Sequence, residues 1–166
     1  MKQRTAQHTP SRTDQPLSFS GDLSRSAADV LGGISMLRHA IESALDAHEL
    51  LLHGIPSRAA SHLIGQIPSD PKMIEAALGM SLRTFQRIKS KPSRRLNAEQ
   101  SGKAWTFASI LALATEVFGS RAEALRWLER PAIGLDRMKP IDLIATPAGV
   151  KLVETFLHRI DAGVYA

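Results

Sequence analysis

Cysteine is absent from the 166 residues, which excludes disulfides and thiolate metal sites and suits a reducing compartment; a cytoplasmic location is expected. No run of apolar residues is long enough to span a bilayer, so no membrane partner is expected. Residues 1–20 lack the continuous apolar stretch of a secretory signal and read as a disordered arm of Ser, Thr, Gln, Pro and charge. Also missing are an H-E-x-x-H word, a Gly-rich phosphate loop, a G-x-S-x-G elbow and a paired-carboxylate arrangement. Catalysis is therefore the least supported class, with no catalytic residue, metal or cofactor expected. Six histidines (His8, His39, His48, His53, His62 and His158) do not alter this, because none completes a metal-ligand word. His39 and His48 are placed on one helical stretch, nine residues apart, with no carboxylate pattern to complete a site. Period-two alternation never persists beyond a few residues, which leaves no strand and an all-α fold.

What the chain has is basic charge in one place. Residues 1–55 carry five Lys/Arg against six Asp/Glu, residues 56–104 nine against three, and residues 105–166 seven against seven. The excess is thus confined to the middle third. A local patch of that kind neutralises phosphates, which favours nucleic acid as a partner.

Helical periodicity runs from Ala27 to Leu52, weakened at Gly32-Gly33 and stopped at Gly54. A short helix follows Pro56 and ends near Gly65. Asp70-Pro71 is an N-cap followed by a first-turn proline, and Gly79 closes that helix. Residues 97–118 are apolar nearly all round between Trp105 and Leu113, the pattern of a central buried helix. Ser120 with Glu123 forms a capping-box word, and Thr146-Pro147 opens a last long helix that ends at Gly163. Trp105, Trp127 and Phe156 sit in apolar runs and are expected in the core.

Residues 71–90 have the length and grammar of a helix-turn-helix. Ala76-Ala77 allow a close crossing, Gly79 permits the turn, Met80 plugs the corner, and Leu82, Phe85 and Ile88 face inward. Ser81 caps the second helix, which turns Arg83, Thr84, Gln86, Arg87 and Lys89 outward. Lys91, Arg94 and Arg95 continue the basic run, which Pro92 breaks. Arginine and glutamine read base edges bidentately, while Ser, Thr, Lys and the helix N-terminus suit phosphates, so these nine residues are the candidate DNA contacts. An ordinary solvated face is the competing account.

The last fifty residues contain an ordered set of words: Phe118-Gly119, Ala124, Trp127-Leu128, Pro131, Pro140, Asp142-Leu143, Thr146, Gly149, Val153-Glu154, Leu157, Arg159-Ile160 and Gly163-Val164-Tyr165. This block resembles the C-terminal domain of antitoxins of the Xre/MbcA/ParS type, in which it follows a helix-turn-helix. The resemblance implies a helical bundle of three parts: a disordered arm (1–22), a helical region with the DNA-binding helix-turn-helix (23–104), and a toxin-binding domain (105–166). It further implies neutralisation of a cognate toxin, often a RES-domain enzyme that consumes NAD. Repression of its own operon by operator binding, as a homodimer and in higher-order toxin–antitoxin complexes, is implied as well. Asp142, Arg159, Val164 and Tyr165 are the candidate toxin contacts, although Asp142 also suits a cap or ion pair near Pro140. Two words depart from the family pattern. Ser101-Gly102-Lys103 stands where relatives carry Ser-Asp-Arg, and the Ile133–Arg137 loop lacks their double glycine. The competing functions are a stand-alone regulator whose C-terminal block only dimerises, and a toxin partner without DNA binding.

Overall fold

Local cap chemistry sets where most helices begin. In the computed structural model, which describes residues 19–68, 70–91 and 94–164, the chain forms ten α-helices and one 3-10 turn among those residues. Helix α1 (Phe19–Val30) starts inside the segment expected to be a disordered arm; residues 1–18 of that arm lie outside the described residues.

The single helix expected over 27–52 is instead three. Gly32 and Gly33 both take positive φ (94° and 58°), and two successive left-handed residues cannot continue an α-helix. Helix α2 (Gly33–Leu37) is a short piece ended by Arg38 at φ 71°, and α3 (Ala44–His53) restarts behind a Ser43/Asp46 capping box. His39 consequently lies in the α2–α3 loop, not on one helix with His48.

Helix α4 (Ser57–Ile64) follows Pro56, and α5 (Pro71–Leu78) is capped by Asp70, whose carboxylate accepts from the Met73 amide at 3.0 Å. Helix α6 (Leu82–Lys89) follows the left-handed Gly79 (φ 64°) and the Ser81 cap. Helix α7 (Ala98–Phe118) opens on an Asn97/Gln100 capping box. Helix α8 (Arg121–Leu128) starts at Ser120, which accepts from the Glu123 amide at 3.2 Å. The reciprocal half of the expected capping box is missing because the Glu123 carboxylate pairs with Arg126 instead. The 3-10 turn Ile133–Leu135 and helix α9 (Pro140–Leu143) lead to α10 (Pro147–Asp161), capped by Thr146. An isolated antiparallel bridge joins Pro56 to Arg95, and no strand occurs among the described residues.

Helix α7 is the axle. It packs against α1, α3 and α5 from the front half of the chain and α8 and α10 from the back half. Phe107, Ile110 and Leu111 on α7 are fully buried, together with Leu31, Ile55, Leu63, Ile74 and Leu78 in front and Leu128 and Leu157 behind. Each such side chain contributes roughly 1.5–3 kcal/mol through removal from water. The result is one connected core that does not divide at 104/105. The expectation that the aromatics sit in that core needs correction. Trp105, Trp127 and Phe156 are half-buried, and Phe118, Trp127 and Phe156 form a rim stack with ring centroids 5.2 and 6.4 Å apart. No helix among the described residues is long and apolar enough to cross a membrane.

Candidate nucleic-acid interface and C-terminal face

Helices α5 and α6 meet at Gly79-Met80-Ser81. Met80, Ala77, Phe85 and Ile88 are buried, so the corner plug and the inward stripe lie where the spacing put them. The opposite face of α6 shows Arg83, Gln86, Arg87 and Lys89 to solvent, and none of the three cations makes an ion pair among the described residues. That face can offer two guanidiniums, a carboxamide and an ammonium to one partner.

Thr84 is half-buried, with its hydroxyl 3.1 Å from that of Ser81, which in turn accepts from the Thr84 amide at 3.3 Å. Both hydroxyls therefore serve the helix start as well as facing outward. Lys91 and Arg94 are exposed, and their carbonyls tie the segment to α4 by accepting from the Ser57 hydroxyl (3.2 Å) and amide (2.8 Å). Arg95 departs from the group. Its Nη1 donates to the Gly54 carbonyl at 2.6 Å, and it lines an open cleft of about 740 Å³ with His39, Asp46, Glu49 and His53 beside α3. In that cleft Asp46 is held below the usual carboxylate range by the Ser43 hydroxyl and the Glu42 and Ser43 amides that donate to it.

Of the C-terminal candidates among the described residues, Asp142 lies on α9 while Arg159 and Val164 adjoin at the end of α10. Asp142 faces the front half, where the Lys72 ammonium lies 2.7 Å away on α5; this ion pair raises the Lys72 pKa above its ordinary value. Arg159 is exposed in the last turn of α10, and its carbonyl accepts from the Val164 amide at 2.9 Å beyond the left-handed Gly163. Val164 is exposed, and Tyr165 lies outside the described residues.

Both departures from the family words have a structural expression. The space around Gly102 is open, with nothing beyond its own stretch of α7 within 4 Å of where a Cβ would stand, so the missing acidic side chain leaves nothing to repack. Lys103 lays its stem across Gly79 at the helix-turn-helix corner and pairs with Glu99 at 3.8 Å. In the other loop, Asp136 (φ 52°) and Arg137 (φ 61°) both hold the left-handed conformation that glycine adopts most readily.

Two features were missed in the sequence. Ser101 is fully buried and its hydroxyl accepts from the Ile55 amide at 2.9 Å, locking α7 to the Pro56–Arg95 bridge. Ile133 stands out of the 3-10 turn with 84% exposure. Only tertiary contacts define the first. The second had a faint signal, an isoleucine between Pro131 and Gly134 in a stretch without helical period.

A family model described as the antitoxin Xre-like helix-turn-helix domain matches residues 46–109. A second, described as the antitoxin Xre/MbcA/ParS C-terminal toxin-binding domain, matches residues 113–163. The chain belongs to the Xre/MbcA/ParS antitoxin family. A curated relative, "Antitoxin Xre" from Pseudomonas putida, is 32% identical over 81 residues. That alignment covers 48% of this chain and 51% of the relative, so the chain matches about half the relative's length. Within this antitoxin family chain, the first matched span ends and the second begins inside α7, and the α6 face belongs to the first while Arg159 and Ile133 belong to the second. Both descriptions are those of regulatory, non-enzymatic proteins.

Proposed function

We propose that this protein neutralises a toxin through its C-terminal half and represses its own operon through α6. The observation that carries the reading is the adjacency, on one α7 axle, of an Xre-like helix-turn-helix and a domain described as toxin-binding. Arg83, Arg87 and Lys89, without an ion pair among the described residues, support operator contact beside Gln86, with Ser81 and Thr84 at the helix start and Lys91 and Arg94 serving the phosphate backbone. Arg95 is anchored to Gly54 and acts in placing the α6–α7 connection.

The resemblance to Xre-type systems makes a RES-domain, NAD-consuming enzyme the expected toxin, blocked sterically at its active-site entrance. Arg159, Val164 and Tyr165 at the end of the chain are the contacts suited to that entrance. Asp142 serves the Lys72 clasp between halves rather than the toxin. A homodimer is the state that sets two α6 helices on a two-fold operator. The exposed stripe Leu45 and Leu52 on α3, with Ile34 nearby in sequence, supports it.

Two measurements test this reading. Co-expression with the product of the adjoining open reading frame should rescue growth, and loss of rescue with DNA binding intact would leave a stand-alone regulator. Replacing Arg83 and Arg87 by alanine should weaken binding to the upstream promoter by about 1–3 kcal/mol per lost base contact, without a change in melting temperature. Unchanged promoter affinity in that variant removes α6 as the recognition helix.

A further inference from the structure

Resting on the toxin-binding reading above, we propose that the toxin seats on the loop 131–138, with Ile133 as the anchor that fills an apolar pocket rimmed by carboxylates. Ile133 is the most exposed large hydrophobic side chain among the described residues, at 84%. A single exposed isoleucine is ordinary; one held out by a rigid turn is not.

The turn is closed by four backbone hydrogen bonds. Leu135 and Arg137 amides donate to the Ala132 carbonyl, each at 3.0 Å, the Ala132 amide donates to Met138 at 3.1 Å, and the Met138 amide donates to Leu135 at 2.9 Å. Leu135 is buried beneath it, and Gly134 lies so close on the Phe156 ring that a Cβ there would overlap it. Asp136 and Arg137 hold left-handed backbone to complete the loop. Ile133 therefore cannot fold inward, and the ordering entropy of the loop is already lost before any partner arrives. Preorganisation of this kind favours binding. Strain kept in a short surface loop is also characteristic of ligand clamps.

Apolar surface continues from the anchor. Met138 is 47% exposed at the other end of the loop. Leu152, 57% exposed, stands one turn before Phe156 on α10, on the same helix face as the ring that carries Gly134. Within residues 130–139, Arg130, Arg137 and Lys139 are exposed and free of ion pairs among the described residues, against one carboxylate, that of Asp136. A hydrophobic knob with a cationic surround fits a protein pocket with an acidic rim, the arrangement of a central anchor within a polar ring. A phosphate backbone would leave Ile133 unused. The whole loop lies within the span matched to the toxin-binding domain, whereas the apolar stripe suited to a second copy lies on α3.

The test measures binding of the full-length chain to the purified product of the adjoining open reading frame. Parent, Ile133→Asp, Ile133→Ser and a deletion of 163–166 are compared, with promoter affinity, thermal melting and sedimentation followed in parallel. Ile133→Asp should weaken toxin binding on the order of 30-fold or more, and Ile133→Ser should weaken it less. Melting, promoter affinity and oligomeric state should stay at parental values. Parental toxin affinity in both Ile133 variants overturns the anchor while leaving toxin binding itself standing. A shift from dimer to monomer with toxin affinity retained overturns it in favour of a contact between copies. Failure of the parent to bind overturns the toxin reading, and the anchor with it.

Discussion

Replacing Ser101 with alanine tests whether the front of the molecule is fastened to α7 by a single buried hydroxyl. Ser101 is 0% exposed, and its oxygen accepts from the Ile55 amide at 2.9 Å and reaches the Leu96 carbonyl at 3.5 Å. Ile55 is itself fully buried, so no water can take the hydroxyl's place. Removing the acceptor strands that amide, at a cost of roughly 1–3 kcal/mol. Alanine gains about 0.5 kcal/mol over serine in a helix, which offsets part of the loss. The net expectation is destabilisation of about 1.5 kcal/mol, or about 3–6 °C in melting temperature for a chain of this size. Urea melts followed by circular dichroism give the free energy. Hydrogen exchange at the Ile55 amide reports the local opening, and should accelerate by more than the global change accounts for. An alanine variant as stable as the parent, with Ile55 still protected, would refute the argument.

Three further outcomes are expected. Arg137→Gly should stabilise the protein by up to about 1 kcal/mol, since relief of a left-handed non-glycine residue outweighs the unfolded-state entropy of glycine; a lower melting temperature contradicts the strain argument. Phe156→Ala and Trp127→Ala should each cost about 2–3 kcal/mol, below the range for fully buried aromatics because both rings are only partly buried; overlaid melts with the parent would exclude a packing role. Asp46→Ala should be less stable than the parent near neutral pH. Because the folded-state pKa is depressed, that contribution is present above the ordinary carboxyl value of 3.8 and is lost as pH falls through the lower folded value, so the two melting curves should converge in acid; a gap independent of pH speaks against the carboxylate cap.

Features written in adjacent residues were legible in the sequence. Asp70-Pro71, Gly79, Ser81 and Thr146-Pro147 punctuate helices by chemistry that acts within one turn, and each works as expected. The all-round apolar character of α7 likewise announced burial from both sides. What failed was longer periodicity read through a break: Val30 to Leu51 keeps a three- and four-residue rhythm, yet two left-handed glycines and Arg38 cut it into three helices. The Lys72–Asp142 pair and the Ser101–Ile55 bond join residues 70 and 46 positions apart, and no local pattern encodes them. Trp127 and Phe156 look like core on any helical wheel, and only the placement of Gly134 and Phe118 shows that they close its rim.

Helix α7 has a consequence for how such proteins exchange partners. Its 21 residues form a rod about 31 Å long whose two sides are packed by different halves of the chain. Shuffling a helix-turn-helix front onto a new C-terminal back by a junction at 104/105 would splice this rod from two ancestries. Each splice faces a core shaped for the other parent. A junction that keeps the rod intact falls at Gly119, where the left-handed turn (φ 77°) already ends the helix. Even there, the incoming α8 and α10 must fit an α7 surface inherited from the old chain. Recombination therefore favours exchange of whole chains, or drift of exposed surface residues, over modular swapping. Neither half should melt as an independent unit when the other is cut away.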